Sequence, residues 1–189
     1  MELRDSSAST LVKLNFLRCL TVYQATPSRF LVIIDSPVSG ISRNGHDGRS
    51  SWSKNENGSR EISGAEAGIF MREYDIRWAV RLRDVYPTLT LASDTVIDQR
   101  RFRRIDATTA EGTREQLFFD ASTALLARRD VVGPTPLILE LSDYRRVGGV
   151  LVPFSVRHNR PGFSWTNRYR TMEDGVPLAD SLFAVPNKG

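Results

Sequence analysis

The 189-residue chain has one cysteine, Cys19, two histidines, His46 and His158, and three lysines, Lys13, Lys54 and Lys188. A single cysteine excludes an internal disulfide, a CxxC pair and a CxxCH haem attachment. The histidines lie on different expected strands, and no HxH, HExxH or Cys/His cluster accompanies them, so no metal site is expected. GxGxxG, GxxxxGK[ST] and GxSxG runs are missing too, which leaves a nucleotide phosphate without a cradle and a nucleophilic serine without its elbow. No cofactor and no catalytic group are expected. No apolar run approaches the ~20 residues that span a bilayer, which excludes an integral helix.

With so little lysine, the positive charge is almost all arginine. The 26 basic and 22 acidic side chains leave a formal charge of +4 and an isoelectric point near 9.6. That excess permits a weak attraction to phosphate or anionic lipid. The arginines are spread along the chain, so the one-sided basic stripe of a nucleic-acid binder is not formed and no nucleic-acid partner is expected. Leu11 to Leu20 is apolar-rich, but Lys13, Asn15 and Arg18 interrupt it and no small-x-small cleavage site follows, so no export signal is read there. Arg18 directly before Cys19 also argues against lipoprotein acylation.

What is present is the balance of an ordinary globular domain: 40% apolar, 25% charged and 9% aromatic residues, with 13 Gly and 9 Pro. A chain this long buries roughly 70% of its unfolded surface, enough for one sizeable core. Strand signals dominate. Arg29 to Asp35 (RFLVIID) is a short β-branched run that reads as a strand covered on both faces. Phe154, Val156 and His158 alternate with Ser155, Arg157 and Asn159, and Phe163, Trp165 and Tyr169 alternate with polar residues. Leu137, Leu139 and Leu141 share a face in the same way. Asp47-Gly48, Asn57-Gly58, Glu111-Gly112, Gly148-Gly149, Pro161-Gly162 and Asp174-Gly175 supply turns between such runs. The expected class is mainly β with some helix (α+β): one open antiparallel sheet of about 8–11 strands, in a single domain over 1–189.

One segment breaks the pattern. Ser63 with Glu66 three residues on has capping-box spacing, and Phe70, Met71, Tyr74, Trp78, Leu82 and Val85 recur at helical spacing until Pro87. A single helix over 63–86 is expected, its aromatic stripe lying on one face of the sheet. A short helical turn over Leu178 to Ala184 is expected to tuck Leu182 and Phe183 back onto it.

Arg100, Arg101, Arg103 and Arg104 beside Phe102 form the densest basic cluster. On a strand they split between both faces, which reads as a solvated edge, with an anionic-lipid or partner-docking patch as the sharper alternative. Glu73 with Asp75, and Asp94 with Asp98, show no acid/base geometry. The aromatic stripe admits two readings: packed core, or one wall of an apolar pocket. The candidate pocket residues are Phe70, Tyr74, Trp78, Trp52 and Trp165.

The order of these signals resembles the outer-membrane lipoprotein-sorting (LolA-like) superfamily, in particular its divergent soil-bacterial branch. The matching stretches run from Val22 to Pro186: Tyr23 to Phe30, Gly45-His-Asp-Gly48 with Trp52, Gly58 to Gly64 before the helix, and Phe119 to Leu126. Asp143-Tyr144, Gly148 to Val150, Pro153-Phe154 and Leu182 to Pro186 complete the series. Ala124 stands where that branch has a hairpin glycine, so a different or strained turn is expected there. The resemblance implies an open half-barrel with helix on its concave face. It also implies a non-enzymatic carrier or binding protein for a lipid, an acyl chain or another apolar ligand, with peripheral membrane contact and an envelope protein as possible partners. Such relatives begin with a signal peptide, an amphipathic helix and a first full strand; here only Met1 to Leu20 precedes the match, read as a remnant of that strand region. The resemblance implies the periplasm, whereas a chain complete as written would stay in the cytoplasm. The competing reading is an interaction module docking onto an envelope membrane or redox protein.

Overall fold

The computed structural model describes residues 19–25, 28–37, 40–75, 78–134 and 136–186. Of the expected strand remnant over 1–20, residues 1–18 lie outside that set, and Cys19 opens the first strand. In chain order the strands are β1 (Cys19–Ala25), β2 (Arg29–Ser36), β3 (Gly40–His46), β4 (Ser51–Asn55) and β5 (Gly58–Ile62). Helical elements follow, α1 (Gly64–Tyr74), a 3-10 turn (Trp78–Val80) and α2 (Leu82–Val85). Then come β6 (Thr88–Leu91), β7 (Thr95–Ile97), β8 (Arg100–Thr108), β9 (Arg114–Asp120) and β10 (Leu126–Val132). The series ends with β11 (Leu137–Val147), β12 (Val150–Arg160), β13 (Phe163–Arg168) and a 3-10 turn at Asp180–Phe183.

The fold is mainly β and antiparallel, but the strands make two sheets instead of the one expected. Strands β1 to β5 form a five-stranded meander, and the eight-stranded sheet runs β13-β12-β11-β10-β9-β8-β6, with β7 also on β8. The chain divides into two compact units, one of Met1–Asp75, Arg146–Val152 and Arg168–Gly189, the other of Ile76–Arg145 and Pro153–Asn167.

In the first unit, the alternation of β2 fixes what lies on each face. Phe30, Val32 and Ile34 point one way, packed with Leu20, Val22 and with Phe70, Met71 and Tyr74 of α1. Leu31 and Ile33 point the other way, packed with Tyr23, Ala25, Trp52, Leu178, Leu182 and Phe183. The run is apolar without a break because both faces are covered, as expected. The C-terminal turn also falls where it was read, with Phe183 buried and Arg29 joined to Asp180 at 2.5 Å. Gly45 pairs with Trp52 across β3 and β4, and the indole ring fills the space where a Cβ on Gly45 would stand.

The helical stretch is not continuous, which corrects the single helix over 63–86. Asp75 takes an extended conformation (φ −76, ψ 98) and its carboxylate accepts a hydrogen bond from Gln24 at 2.6 Å. Aspartate is a poor interior helix residue, and here a side-chain partner on β1 holds it where the helix stops. Beyond it, Trp78, Leu82 and Val85 join a different cluster from Phe70 and Tyr74. The capping box is also absent: Ser63 is the N-cap residue but makes no side-chain cap, and Glu66 pairs with Arg60 at 2.5 Å.

In the second unit, Trp78, Tyr86, Leu82 and Val85 cover one face of the large sheet, over Ala107, Leu117, Leu126, Ile105 and Phe119. Strand β8 is not an edge, which corrects the reading of the arginine cluster: β9 flanks it on one side and β6 and β7 on the other. The arginines do divide between the faces. Arg103 lies opposite Phe119 and Arg104 opposite Phe118. Five of the six expected turns join consecutive strands; Asp174-Gly175 follows β13.

Candidate ligand-binding site

The structure distributes the five candidate pocket residues among separate clusters. Phe70 and Tyr74 meet on α1 with ring centroids 5.1 Å apart, and Phe30 lies 5.2 Å from Phe70. Trp52 is buried on the opposite face of the same sheet, its indole N–H directed at the Phe183 carbonyl at 3.4 Å. In the second unit, Trp78 is buried 6.1 Å from the Tyr86 ring, while Trp165 stacks on His158 at 4.4 Å with the planes 10° apart. Asn167 completes that small stack with a contact to His158 Nε2 at 3.2 Å.

An open cleft of about 490 Å³ lies on the face that the Trp78 layer covers. Leu91, Arg103, Ile105 and Phe119 form its strand walls, and the turn from Asp120 to Ala124 closes one end. Ile105 and Phe119 belong both to the cleft and to the cluster of Trp78. The local sequence explains the shape. Period-two alternation sends Arg103 and Ile105 to one side of β8, and register sets them against Phe119 and Leu117. Leu91, opposite Ile105, is 74% exposed, so the apolar surface runs past its cover into solvent.

The turn at the end of the cleft is built on Asp120. One carboxylate oxygen accepts the backbone N–H groups of Ser122 and Thr123, both at 3.0 Å, and the Ser122 hydroxyl at 2.5 Å. The other accepts Arg100 at 2.7 Å. These bonds, the Ser122 hydroxyl first and Arg100 next, hold the carboxyl well below the usual carboxylate range. Ala124 closes the turn with φ +58, the left-handed region that a glycine would occupy without strain. The expectation of strain at this position therefore holds.

Beneath the Trp78 layer lies a group that the sequence reading missed. Arg129 and Glu115 form a buried ion pair, Nε to Oε2 at 2.6 Å and Nη2 to Oε1 at 2.8 Å, with side chains 1% and 0% exposed. The Tyr86 hydroxyl donates to the same carboxylate, and the guanidinium lies 5.0 Å from the Trp78 ring centroid. A signal existed: Glu115 is in phase with Leu117 and Phe119, so a charged residue stood on an apolar face. Of the histidines, His46 is buried and contacts the Ser51 hydroxyl at 3.0 Å; burial pulls its imidazole below the ordinary value, with Asp47 opposing. Tyr144 donates to the Leu126 carbonyl at 2.6 Å, and burial pushes its phenol up.

Among the described residues, no group of His, Cys, Asp and Glu could hold a metal ion, and no helix is long and apolar enough to cross a membrane. No protein-family model and no curated protein matches the chain. Solved structures do. A LolA superfamily protein from Nitrosomonas europaea matches with a TM-score of 0.67 at 14% identity, over 97% of this chain and 92% of that one. An outer membrane lipoprotein-sorting protein domain from Vibrio parahaemolyticus gives 0.66 at 11% identity, over 94% and 87%. A DUF1329 family protein from Desulfovibrio piger gives 0.62 at 17% identity, over 95% and 91%. At these identities the likeness speaks for the fold, and the fold of this chain is LolA-like.

Proposed function

We propose that this protein is a non-enzymatic carrier or binding protein for a lipid, a lipoprotein acyl chain or another apolar ligand, acting in the periplasm. The observation that carries the reading is the solvent-open apolar cleft of about 490 Å³ on a LolA-like scaffold. Burying an acyl chain there gains about 0.8 kcal/mol per methylene removed from water, which needs a dry surface and no reactive group. Likeness over 94–97% of the chain supports a single LolA-like domain over 1–189. Trp78 borders the ligand through its shared cluster with Ile105 and Phe119, while Phe70, Tyr74 and Trp52 of the first unit and Trp165 of the second belong to clusters that do not line this cleft. Native mass spectrometry of gently purified protein tests this. An extractable mass that phospholipid restores, and that Trp78→Ala weakens, is expected; protein that stays ligand-free with added phospholipid overturns it.

A second reading, docking onto an envelope membrane or redox protein, is favoured by Leu91 and Val96, 74% and 67% exposed on the strands beside β8. Recovery of one defined membrane protein by cross-linking, abolished by Val96→Asp, would support it.

A further inference from the structure

We propose that the cleft selects amphiphiles with an anionic head, and that Arg103 is the head-group residue. The inference rests on the carrier reading and names its substrate class. Four arginines stand on β8, and three have a carboxylate: Arg100 with Asp120 at 2.7 Å, Arg101 with Asp94 at 2.9 Å, and Arg104 with Asp106 at 3.1 Å. Among the described residues no carboxylate lies within ion-pair distance of Arg103, although it lines the cleft.

The acid in the cleft wall, Asp120, does not compensate Arg103. Its oxygens are held by Arg100, Ser122 and Thr123, so the Arg100–Asp120 pair is neutral as a unit. The cleft thus holds an apolar floor of Leu91, Ile105 and Phe119 with one uncompensated cation beside it.

That pairing discriminates among ligands. A chain laid on Ile105 and Phe119 draws its head toward Arg103, which sits opposite Phe119 in register. A neutral head leaves the guanidinium to lose water without a matching acceptor, at a cost in free energy. A carboxylate or phosphate accepts two N–H groups from the planar fork. The shared ligand chemistry is therefore a single acyl chain ending in an anionic oxygen group. Carboxylate and phosphate heads are the two sources to be separated.

The test is calorimetric titration of the whole chain with laurate, lauryl phosphate and monolaurin, which share one chain and differ in head. The anionic amphiphiles should bind about tenfold more tightly than monolaurin, the worth of one charge-assisted hydrogen-bonded pair. The tighter of the two anions names the natural head. Arg103→Gln should abolish the preference for the anions, with monolaurin bound at least as tightly as by the native chain, which also shows that the variant is folded. Arg101→Gln should change the anions by less than about twofold, because Arg101 is engaged by Asp94. Equal binding of laurate and monolaurin, an Arg103→Gln variant that keeps the anion preference, or an equal loss in Arg101→Gln would overturn the head-group assignment alone. Failure of all three amphiphiles to bind would overturn the carrier reading with it.

Discussion

The five-stranded sheet and the eight-stranded sheet use the same period-two alternation to different ends. In the smaller sheet both faces of β2 are apolar, one under Phe70 and Tyr74 and the other under Leu182 and Phe183. In the larger sheet the covered face carries Leu117 and Leu126 together with the Arg129–Glu115 pair, and continues into a cleft with its own arginine. Apolar layers stabilise by removing surface from water and tolerate many side chains of similar volume. A buried ion pair gives little net stability, because desolvation offsets its attraction, but its geometry admits few alternatives. We read the smaller sheet as the part that holds the fold and the larger as the part that holds a defined surface for a ligand.

Substitution at the two buried centres should separate these roles most sharply. Glu115→Ala leaves Arg129 buried without its carboxylate and should cost about 3–5 kcal/mol in urea unfolding. Adding Arg129→Met should return part of that loss, the rest being the acceptor that the buried Tyr86 hydroxyl loses with the carboxylate. Phe30→Ala should cost a similar ~3–5 kcal/mol through the cavity it leaves, with no second substitution of a charge able to restore it. Unfolding in which Arg129→Met fails to rescue Glu115→Ala would show that the pair is not the unit described here.

A smaller effect is expected at Gly45, where a methyl group would collide with the Trp52 ring; Gly45→Ala should lose about 1–3 kcal/mol by overpacking. In the larger sheet the opposite sign is expected. Ala124→Gly removes the left-handed strain at φ +58 and should raise stability by about 1 kcal/mol, read as a higher urea midpoint. A fall in that midpoint would mean that the lost chain stiffness outweighs the strain.

The smallest effect is on pH dependence and belongs to His46. Burial lowers its folded-state pKa below the unfolded value of 6.5, so the unfolded chain takes up the proton first. Its contribution to stability is therefore full above pH 6.5 and is lost as the pH falls toward the lower folded value. The melting temperature should drop over that window, and His46→Gln should flatten the drop. Asp120 acts at more acidic pH with the usual carboxylate sign: its depressed pKa adds stability above the unfolded value of 3.8, lost as the pH falls further.

Much of the local structure was legible beforehand. The β-branched run of β2 and the turns at Gly148-Gly149 and Pro161-Gly162 follow from side-chain sterics within a few residues, whereas the strain at Ala124 was implied only by the resemblance, which has a glycine there. The helix break was not, because Phe70, Tyr74, Trp78 and Val85 keep helical spacing across it. The end of α1 at Tyr74 goes with a contact distant in sequence, the hydrogen bond of Asp75 to Gln24 on β1. The arginine cluster was read correctly in its division between faces, since alternation is local, and incorrectly as an edge, since neighbours in a sheet are not.

The sequence by itself determined the mainly β antiparallel class, the apolar faces of single strands and the lack of metal-binding or nucleotide-binding motifs, because each depends on residue type and spacing along the chain. The division into two sheets, the burial of Glu115 with Arg129 and the singling out of Arg103 were decided only by tertiary structure. Each depends on which distant carboxylate or ring comes within a few ångströms, and register between strands, not composition, sets those distances.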